Sequence, residues 1–136
     1  MRYLGAGHVY VVHRTRRRAG DIHRNCAGRI GGRPEYICKS VYQAIKAGYR
    51  LIDTAQSYGN EEAVGKAIQE TNVPREELFI TTKVWISNYG YEKAKASVEE
   101  SLKKMQLDYF DLVLLHQPFK DYHGAYRALI DLYKEG

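Results

Sequence analysis

Short apolar runs alternate with amphipathic stretches along residues 34–136, and this alternation limits the fold more than any other feature of the sequence. The apolar runs predict three strands, at residues 50–53, 78–84 and 110–115. They contain few polar residues, which is typical of strands covered on both faces. Strands that alternate with helices are usually joined by right-handed crossovers into a parallel sheet. The sequence therefore predicts an α/β fold.

Helix signals lie before, between and after these strands. A first helix is predicted to open at Pro34 and to stop at Gly48, because glycine suits the left-handed backbone that follows a helix end. Asn60 is placed to cap a second helix, whose first turn holds acids that the helix dipole favours. Residues 91–105 have apolar side chains at helical spacing, and a last helix is predicted over about residues 124–133.

Each predicted strand ends at, or is followed by, a polar side chain with reactive chemistry. These side chains are Asp53, Lys83 and His116, and they are 30 and 33 residues apart. Such repeat lengths are close to one eighth of a (β/α)8 barrel of ~250 residues, in which the active site lies at the carboxyl ends of the strands. Open α/β sheets bind ligands at the same end. We expect a partial (β/α)8 TIM barrel of roughly the first four strand–helix units.

Together with Tyr58, in the loop after the first strand, these residues form a plausible acid–base set. A nearby ammonium group favours the ionised form of a phenol, so Lys83 would make Tyr58 a stronger acid. Asp53 would hold Lys83 in place, and His116 would bind an incoming carbonyl oxygen. A phenol that donates a proton to a carbonyl suits a reduction in which a cofactor supplies a hydride.

Each of these residues also has an ordinary structural interpretation. Asp53 alone would be read as a turn or helix cap, Tyr58 as one of twelve tyrosines on a surface or in a pocket, and His116 as a hydrogen-bonded core histidine. Lys83 is different, since an ammonium group within an apolar strand is costly to bury without a partner. The four residues favour a site because they occur together at the strand ends.

Three separated motifs resemble the aldo-keto reductase family, specifically its short microbial members. They are GYRLIDTAQSYGNEEAVGKAI at residues 48–68, FITTKVW at residues 79–85 and DYFDLVLLHQP at residues 108–118. They occur in the family's order, and the resemblance covers about residues 36–136. It implies an oxidoreductase that uses NADPH to reduce an aldehyde or ketone to an alcohol. Such enzymes bind the nucleotide without a glycine-rich Rossmann loop.

The resemblance assigns a role to each residue of the set. The family's catalytic tetrad falls on Asp53, Tyr58, Lys83 and His116. Tyr58 is the proton donor, Lys83 makes it a stronger acid, and Asp53 supports Lys83 and lies near the nicotinamide ribose of the cofactor. His116 and Tyr58 contact the small carbonyl substrate. Trp85 matches an aromatic residue that lines the substrate pocket, although it is almost as readily explained as a packing residue.

The sequence departs from the family at both ends. The family's glycine-rich first strand is at best echoed by residues 4–10, and a long arginine-rich insert separates these from the first helix. The sequence stops where the family's fifth strand would begin, so a Ser-Asn pair for the carboxamide and a basic loop for the adenosine phosphate have no counterpart. We expect a half barrel with little or no turnover on its own. The alternative is a non-enzymatic half barrel that serves as an interaction module or completes itself by association.

The first 33 residues differ sharply in composition from the rest. They contain eight arginines, no lysine and one acid, Asp21, although the net charge of the whole chain is only +5. Apart from a candidate strand at residues 8–12, they show no helix or strand period. We expect residues 1–33 to be an atypical, poorly ordered segment and residues 34–136 to form the barrel half. Two alternatives remain: an arm that pairs arginine with the phosphates of nucleic acid or a membrane surface, and a segment translated in a shifted frame. Few aromatic residues are present there to stack on bases, so nucleic acid is not the expected partner.

The sequence also indicates the cellular setting. It has no run of the ~18–20 apolar residues that a membrane span needs, and no apolar core of a secretory signal at its start. Cys26 and Cys38 lack metal-binding spacing and predict free thiols in a reducing compartment. The histidines show no ligand spacing either, so no metal is expected. We expect a cytoplasmic protein with no membrane partner, whose full-length parent is a monomer.

Overall fold

The computed structural model describes residues 9–11 and 33–136. Strands and helices alternate through this part of the chain, with short 3-10 turns at Gln56–Tyr58, Arg75–Glu77 and Ile86–Asn88. The strands are β1 (Val9–Val11), β2 (Leu51–Asp53), β3 (Phe79–Val84) and β4 (Leu112–Leu115). The helices are α1 (Pro34–Lys46), α2 (Glu61–Glu70), α3 (Tyr91–Met105) and α4 (Tyr122–Glu135).

The four strands form one sheet in the order β1-β4-β3-β2. Strands β2, β3 and β4 are parallel, with Asp53 beside Thr81 and Lys83 beside Leu114. This confirms the predicted α/β fold, and the chain is a partial α/β barrel. The candidate strand at residues 8–12 is present as β1, but it runs antiparallel to β4. The expectation of disorder in residues 1–33 falls almost entirely outside the described residues and stays a prediction.

The strands are shorter than the apolar runs predict, most clearly at the start of β4. Asp111 lies within the predicted third strand, but its carboxylate accepts hydrogen bonds from the Ile80 backbone N–H at 2.8 Å and from Arg75 at 2.7 Å. The Asp111 backbone N–H donates to the Ile80 carbonyl at 3.0 Å. A side chain thus takes the place of a regular ladder bond, and β4 begins at Leu112, two residues later than predicted.

Gly48 ends the first helix as predicted. Its φ of +98° is a conformation that costs glycine little. The Gly48 N–H donates to the Ile45 carbonyl and the Tyr49 N–H to the Ala44 carbonyl, both at 3.0 Å. This pair of bonds is a Schellman motif, which satisfies carbonyls that a helix end would otherwise leave without donors.

The predicted cap of the second helix is only half right. Asn60 does precede α2, and its backbone carbonyl accepts from the Val64 N–H at 3.0 Å, but its side chain makes no cap hydrogen bond. Its Oδ1 instead accepts from the Thr54 hydroxyl at 2.7 Å. Glu61, one of the first-turn acids that the helix dipole favours, is only 4% exposed. Both polar side chains therefore face the protein interior.

Two apolar clusters cover the sheet. One joins α1 and α2 to β2 and β3 and contains Ile45, Ile52 and Ile80, each at most 1% exposed. The other packs α3 and α4 against β3 and β4. Burying an aliphatic side chain of this size stabilises a fold by about 1.5–3 kcal/mol. Ile80 of the first cluster and Val84 of the second are four residues apart on β3, so both clusters pack on the same face of the sheet. No helix in the described ranges is long and apolar enough to span a bilayer.

Candidate active site

The predicted reactive residues lie at one rim of the parallel sheet. Asp53 is the last residue of β2, Lys83 is the last but one of β3, and His116 directly follows β4. The His116 backbone N–H donates to the Val84 carbonyl at 3.1 Å, which ties the start of its loop to the end of β3. Because parallel strands present their carboxyl ends at the same edge, residues 30 or more apart in sequence become neighbours there.

Lys83 and Asp53 form an ion pair at this rim. The Lys83 Nζ lies 2.6 Å from the Asp53 Oδ1 and donates a second hydrogen bond to the Thr54 carbonyl at 3.0 Å. The two side chains are only 12% and 21% exposed. Charge-assisted hydrogen bonds of this length are among the stronger ones in proteins, and they offset the desolvation of the ammonium group. The partner that Lys83 required on sequence grounds is therefore present.

Tyr58 lies beside this ion pair. The Lys83 Nζ is 5.4 Å from the centre of the Tyr58 ring. The His116 ring is 6.0 Å from the same centre and nearly perpendicular to it, at 88°. An edge-to-face arrangement at this distance is a favourable one for aromatic rings. The structure thus brings all four predicted catalytic side chains into one cluster.

Trp85 also contacts His116. Their ring centres are 4.9 Å apart, with an angle of 81° between the ring planes. Trp85 is half-buried and follows β3 directly, two residues after Lys83. The placement is what a pocket wall would need. Ring packing against a histidine would also be seen if Trp85 had a packing role alone.

The short turn that carries Tyr58 is fixed at both ends. The Thr54 backbone N–H donates to the Thr81 carbonyl at 2.8 Å, and the Thr54 hydroxyl reaches Asn60 across the loop. Gly59, with a φ of +62°, takes the chain out of the turn and into α2. Loop residues 54–60 therefore close on themselves, which holds the Tyr58 ring over the end of the sheet.

Several polar residues of this region were not singled out from the sequence. Ser57 lies 3.3 Å from the His116 Nδ1 through its hydroxyl. Gln56 contacts both the segment after β3 and helix α3. A polar pair in the middle of DTAQSY was the available signal, but nothing local indicates what these side chains contact. Their partners are 29 to 59 residues away in sequence.

Behind the loop, a buried carboxylate is held by two hydroxyl groups. The Glu61 side chain accepts hydrogen bonds from the Thr82 hydroxyl at 3.0 Å and from the Ser101 hydroxyl at 3.2 Å. Burial raises the pKa of Glu61 above its ordinary value of 4.5, while these two hydrogen bonds act in the opposite direction. The carboxylate therefore links the start of α2 to β3 and α3 through polar contacts within the core.

The rim also presents a carboxylate that a bound molecule could reach. One oxygen of Asp53 holds Lys83, yet the side chain keeps about a fifth of its surface exposed at the edge of the sheet. A carboxylate in this position accepts hydrogen bonds from sugar hydroxyl groups. Within residues 9–11 and 33–136, no group of three or more histidine, cysteine or acidic side chains is arranged to hold a metal ion.

Clefts found elsewhere on the surface do not carry this chemistry. One of about 540 Å³ is lined by Tyr91, Arg127, Ile130, Asp131 and Lys134. Another of about 240 Å³ lies beside the loop before α2 and the start of α1, and it includes Gln56 and Gly59 but none of the four clustered side chains. The candidate site is therefore identified by its convergent polar groups.

The fold and the rim define the class as an α/β-barrel protein with its candidate site at the carboxyl ends of the strands. A model of the Aldo/keto reductase family matches residues 30–136. The chain belongs to the aldo/keto reductase family, and the resemblance seen in the three motifs is confirmed.

Curated relatives agree with this assignment. The chain is 58% identical over 99 residues to glyoxal reductase of Bacillus subtilis, an alignment of 72% of this chain and 36% of that protein. It is 47% identical over 105 residues to methylglyoxal reductase DkgA of Escherichia coli, covering 75% of this chain and 38% of that protein. The chain thus spans little more than a third of the length of these relatives.

Solved structures show the same partial coverage. An aldo/keto reductase from Brucella melitensis superposes with a TM-score of 0.74 at 45% identity, covering 76% of this chain and 40% of that one. An aldo-keto reductase of Bombyx mori, solved in complex with NADP, superposes with a TM-score of 0.74 at 34% identity, covering 82% of this chain and 43% of that one.

Proposed function

We propose that residues 34–136 are the acid–base half of an NADPH-dependent reductase that converts a small aldehyde or ketone to an alcohol. The observation that supports this most directly is the cluster of four side chains at one rim, which are Asp53, Tyr58, Lys83 and His116. Within it, Lys83 and Asp53 form an ion pair of 2.6 Å. The names of the relatives favour a 2-oxoaldehyde as the substrate, because they are glyoxal and methylglyoxal reductases.

Tyr58 is the proton donor in this proposal. As hydride adds to the carbonyl carbon, negative charge develops on the carbonyl oxygen, and a phenol within reach neutralises it by giving up its proton. The Lys83 ammonium group, 5.4 Å from the ring centre, then stabilises the phenolate that forms. Asp53 keeps that ammonium group in place and compensates its charge while the substrate binds.

His116 and Trp85 position the substrate. The His116 ring is in edge-to-face contact with both the Tyr58 ring and the Trp85 ring. An imidazole N–H directed at the carbonyl oxygen orients that oxygen toward the phenol. Trp85 supplies an apolar wall that favours the carbon skeleton of the substrate over water.

NADPH supplies the hydride when it is bound. Asp53 is the residue of this chain that we assign to its ribose, since its carboxylate is accessible at the rim. The NADP complex of the Bombyx mori structure supports the choice of nucleotide.

A graft tests the proposal, because the chain spans only 36% of its Bacillus relative. Residues 36–136 replace the matched stretch of that glyoxal reductase, and NADPH oxidation by methylglyoxal is followed. We expect turnover in the graft and little or none in the 136-residue chain alone. Tyr58→Phe should lower kcat by at least about 100-fold, within the range for loss of a general acid.

The control for this variant is Tyr36→Phe, which removes a phenol that is 65% exposed and outside the rim. It should leave kcat within about twofold of the unmodified graft, as expected of a surface change. A Tyr58→Phe graft that retains full turnover would exclude the assigned proton donor.

One observation favours the alternative of a self-associating half barrel. Strand β2 is at the end of the sheet, so among the described strands nothing pairs with its outer edge. An unpaired edge is a template for pairing with another chain.

A further inference from the structure

The side chain of Gln56 makes four hydrogen bonds that join three separate parts of the fold. Its Oε1 accepts from the Trp85 backbone N–H and from the Asn88 side-chain amide, both at 2.9 Å. Its Nε2 donates to the Ser97 carbonyl at 3.1 Å and to the Ser101 hydroxyl at 3.2 Å. The amide thus has partners for both acceptor positions and both donor hydrogens.

The orientation of this amide is fixed from both ends. A carboxylate can only accept, so the Ser101 hydroxyl donates its single hydrogen to Glu61 and accepts from the Gln56 Nε2. At the other end, the Trp85 backbone N–H can only donate, so it requires the Gln56 oxygen. If the amide were flipped, its NH2 group would face the N–H donors of Trp85 and Asn88, and neither donor would have an acceptor. The buried carboxylate behind the loop therefore determines which face Gln56 presents to Trp85.

These contacts link the turn of Tyr58 to the wall of the pocket. Gln56 lies in the same 3-10 turn as Tyr58, while Trp85 directly precedes the next turn, after β3, and Asn88 is the last residue of that turn. The Trp85 ring in turn packs on His116 at 4.9 Å. Movement of either turn relative to the other would change the space between the Tyr58, His116 and Trp85 rings.

We propose that Gln56 is a positioning residue that holds Trp85 at a set distance from Tyr58 and His116, and so determines the width of the substrate pocket. This rests on the proposed function only where it assigns a substrate to that space. The positioning itself is a property of the 136-residue chain and is measured without cofactor or substrate.

The test uses Trp85, the single tryptophan of the chain. Its anisotropy decay, excited where tyrosine does not absorb, reports motion of this side chain alone. Gln56→Met keeps the length of the side chain and removes all four hydrogen bonds, so we expect the fast-decaying fraction to rise at least about twofold. Gln56→Glu keeps an acceptor for the Trp85 N–H, so its fast-decaying fraction should lie closer to that of the unmodified chain.

The matched control is Gln69→Met. Gln69 also donates through Nε2 to a backbone carbonyl, that of Gln106 at 3.1 Å, but it is exposed and lies outside the rim. Its anisotropy decay should equal that of the unmodified chain, with the same far-ultraviolet circular dichroism in all variants. An unchanged Trp85 decay in a folded Gln56→Met chain overturns the proposal.

A measurement on the unmodified chain covers the case in which Gln56→Met does not fold. The Trp85 amide hydrogen should exchange at least about tenfold more slowly than that of the exposed Ser87 in the same turn, because Gln56 accepts from it. Equal exchange rates contradict the positioning role.

In the graft, Gln56→Met should raise KM more than it lowers kcat. A loosened Trp85 together with a fully active Tyr58→Phe graft would reject the reductase and keep the positioning role.

Discussion

Lys83 places a charge at the end of an apolar strand, and its neighbours determine whether the fold tolerates it. The ammonium group has one carboxylate and one carbonyl as partners, and little of the side chain reaches water. Asp53→Asn removes the negative charge, keeps the shape and leaves Lys83 with an uncharged partner. In a partly desolvated site, leaving one charge without its partner costs more than it does in an exposed pair.

We therefore expect Asp53→Asn to lower the free energy of unfolding by about 1–2 kcal/mol, measured by urea denaturation. The control is Glu77→Gln, which removes the charge from a looser pair with Arg50, at 3.8 Å, whose side chains are 43% and 56% exposed. That change should amount to less than about 0.5 kcal/mol. Equal effects of the two variants would mean that the rim pair is fully screened.

Glu61 gives a prediction about pH. Burial raises its pKa above 4.5, so the folded chain holds this proton more tightly than the unfolded chain does. The associated stability is fully present below about pH 4.5 and is lost as the pH rises through the folded pKa. Glu61→Gln should remove this part of the pH dependence, seen as a flatter series of urea midpoints above pH 4.5.

Glu62→Gln is the control for that series, because the neighbouring Glu62 is exposed. Its urea midpoints should depend on pH in the same way as those of the unmodified chain. A steep fall in stability that survives in Glu61→Gln would show that another group dominates the titration.

At the scale of elements, α2 and α3 approach closely at one glycine. A Cβ atom on Gly65 would lie 2.6 Å from the carbonyl carbon of Met105, a non-bonded distance that real Cβ atoms essentially never show. Backbone cannot move aside as a flexible side chain can. The alanine that would improve helix propensity at this position is therefore excluded by the neighbouring helix.

We expect Gly65→Ala to destabilise the chain by at least about 2 kcal/mol, although the same change at an open helix site stabilises it by up to about 1 kcal/mol. Gly48→Ala is the comparison, since nothing lies within 4 Å of its added Cβ and only the φ of +98° opposes it. Gly48→Ala should lower the free energy of unfolding by about 1 kcal/mol. Thermal or urea unfolding of both variants checks the order, and a larger effect at Gly48 would contradict the close approach.

Element boundaries illustrate the limit of local patterns. The first and third helices were predicted from Pro34 and over Tyr91–Met105, and both begin and end where expected. The last helix begins two residues earlier than predicted, because the Asp121 side chain accepts from the Gly124 N–H at 2.9 Å and caps it. Side-chain contacts of this kind decide boundaries that hydrophobic spacing leaves open.

At the scale of the whole molecule, the outer edge of β2 bears on whether the chain associates. Among the described strands, only β3 pairs with β2, and it does so along the opposite edge. We expect the 136-residue chain to associate as its concentration rises, followed by light scattering. Leu51→Lys, which places a charge on this edge strand, should weaken association, whereas Phe119→Lys at an exposed site should not. A chain that stays monomeric at all concentrations would contradict this role of the β2 edge.

The sequence by itself determined the α/β class and the parallel direction of β2, β3 and β4. It also predicted that Asp53, Lys83 and His116 would meet. These follow from local rules, since periodicity defines each element and parallel strands bring their carboxyl ends to one edge.

Only the tertiary structure decided the inward turn of Asn60 and Glu61, the contact of Gly65 with Met105 and the bridge from Gln56 to Trp85. It also placed β1 antiparallel to β4. Most of these contacts join residues more than 20 positions apart, and the β1–β4 pairs are more than 100 apart; local spacing carries no information about such pairs. They exist because buried polar groups and close-packed backbones must find partners wherever the fold brings them.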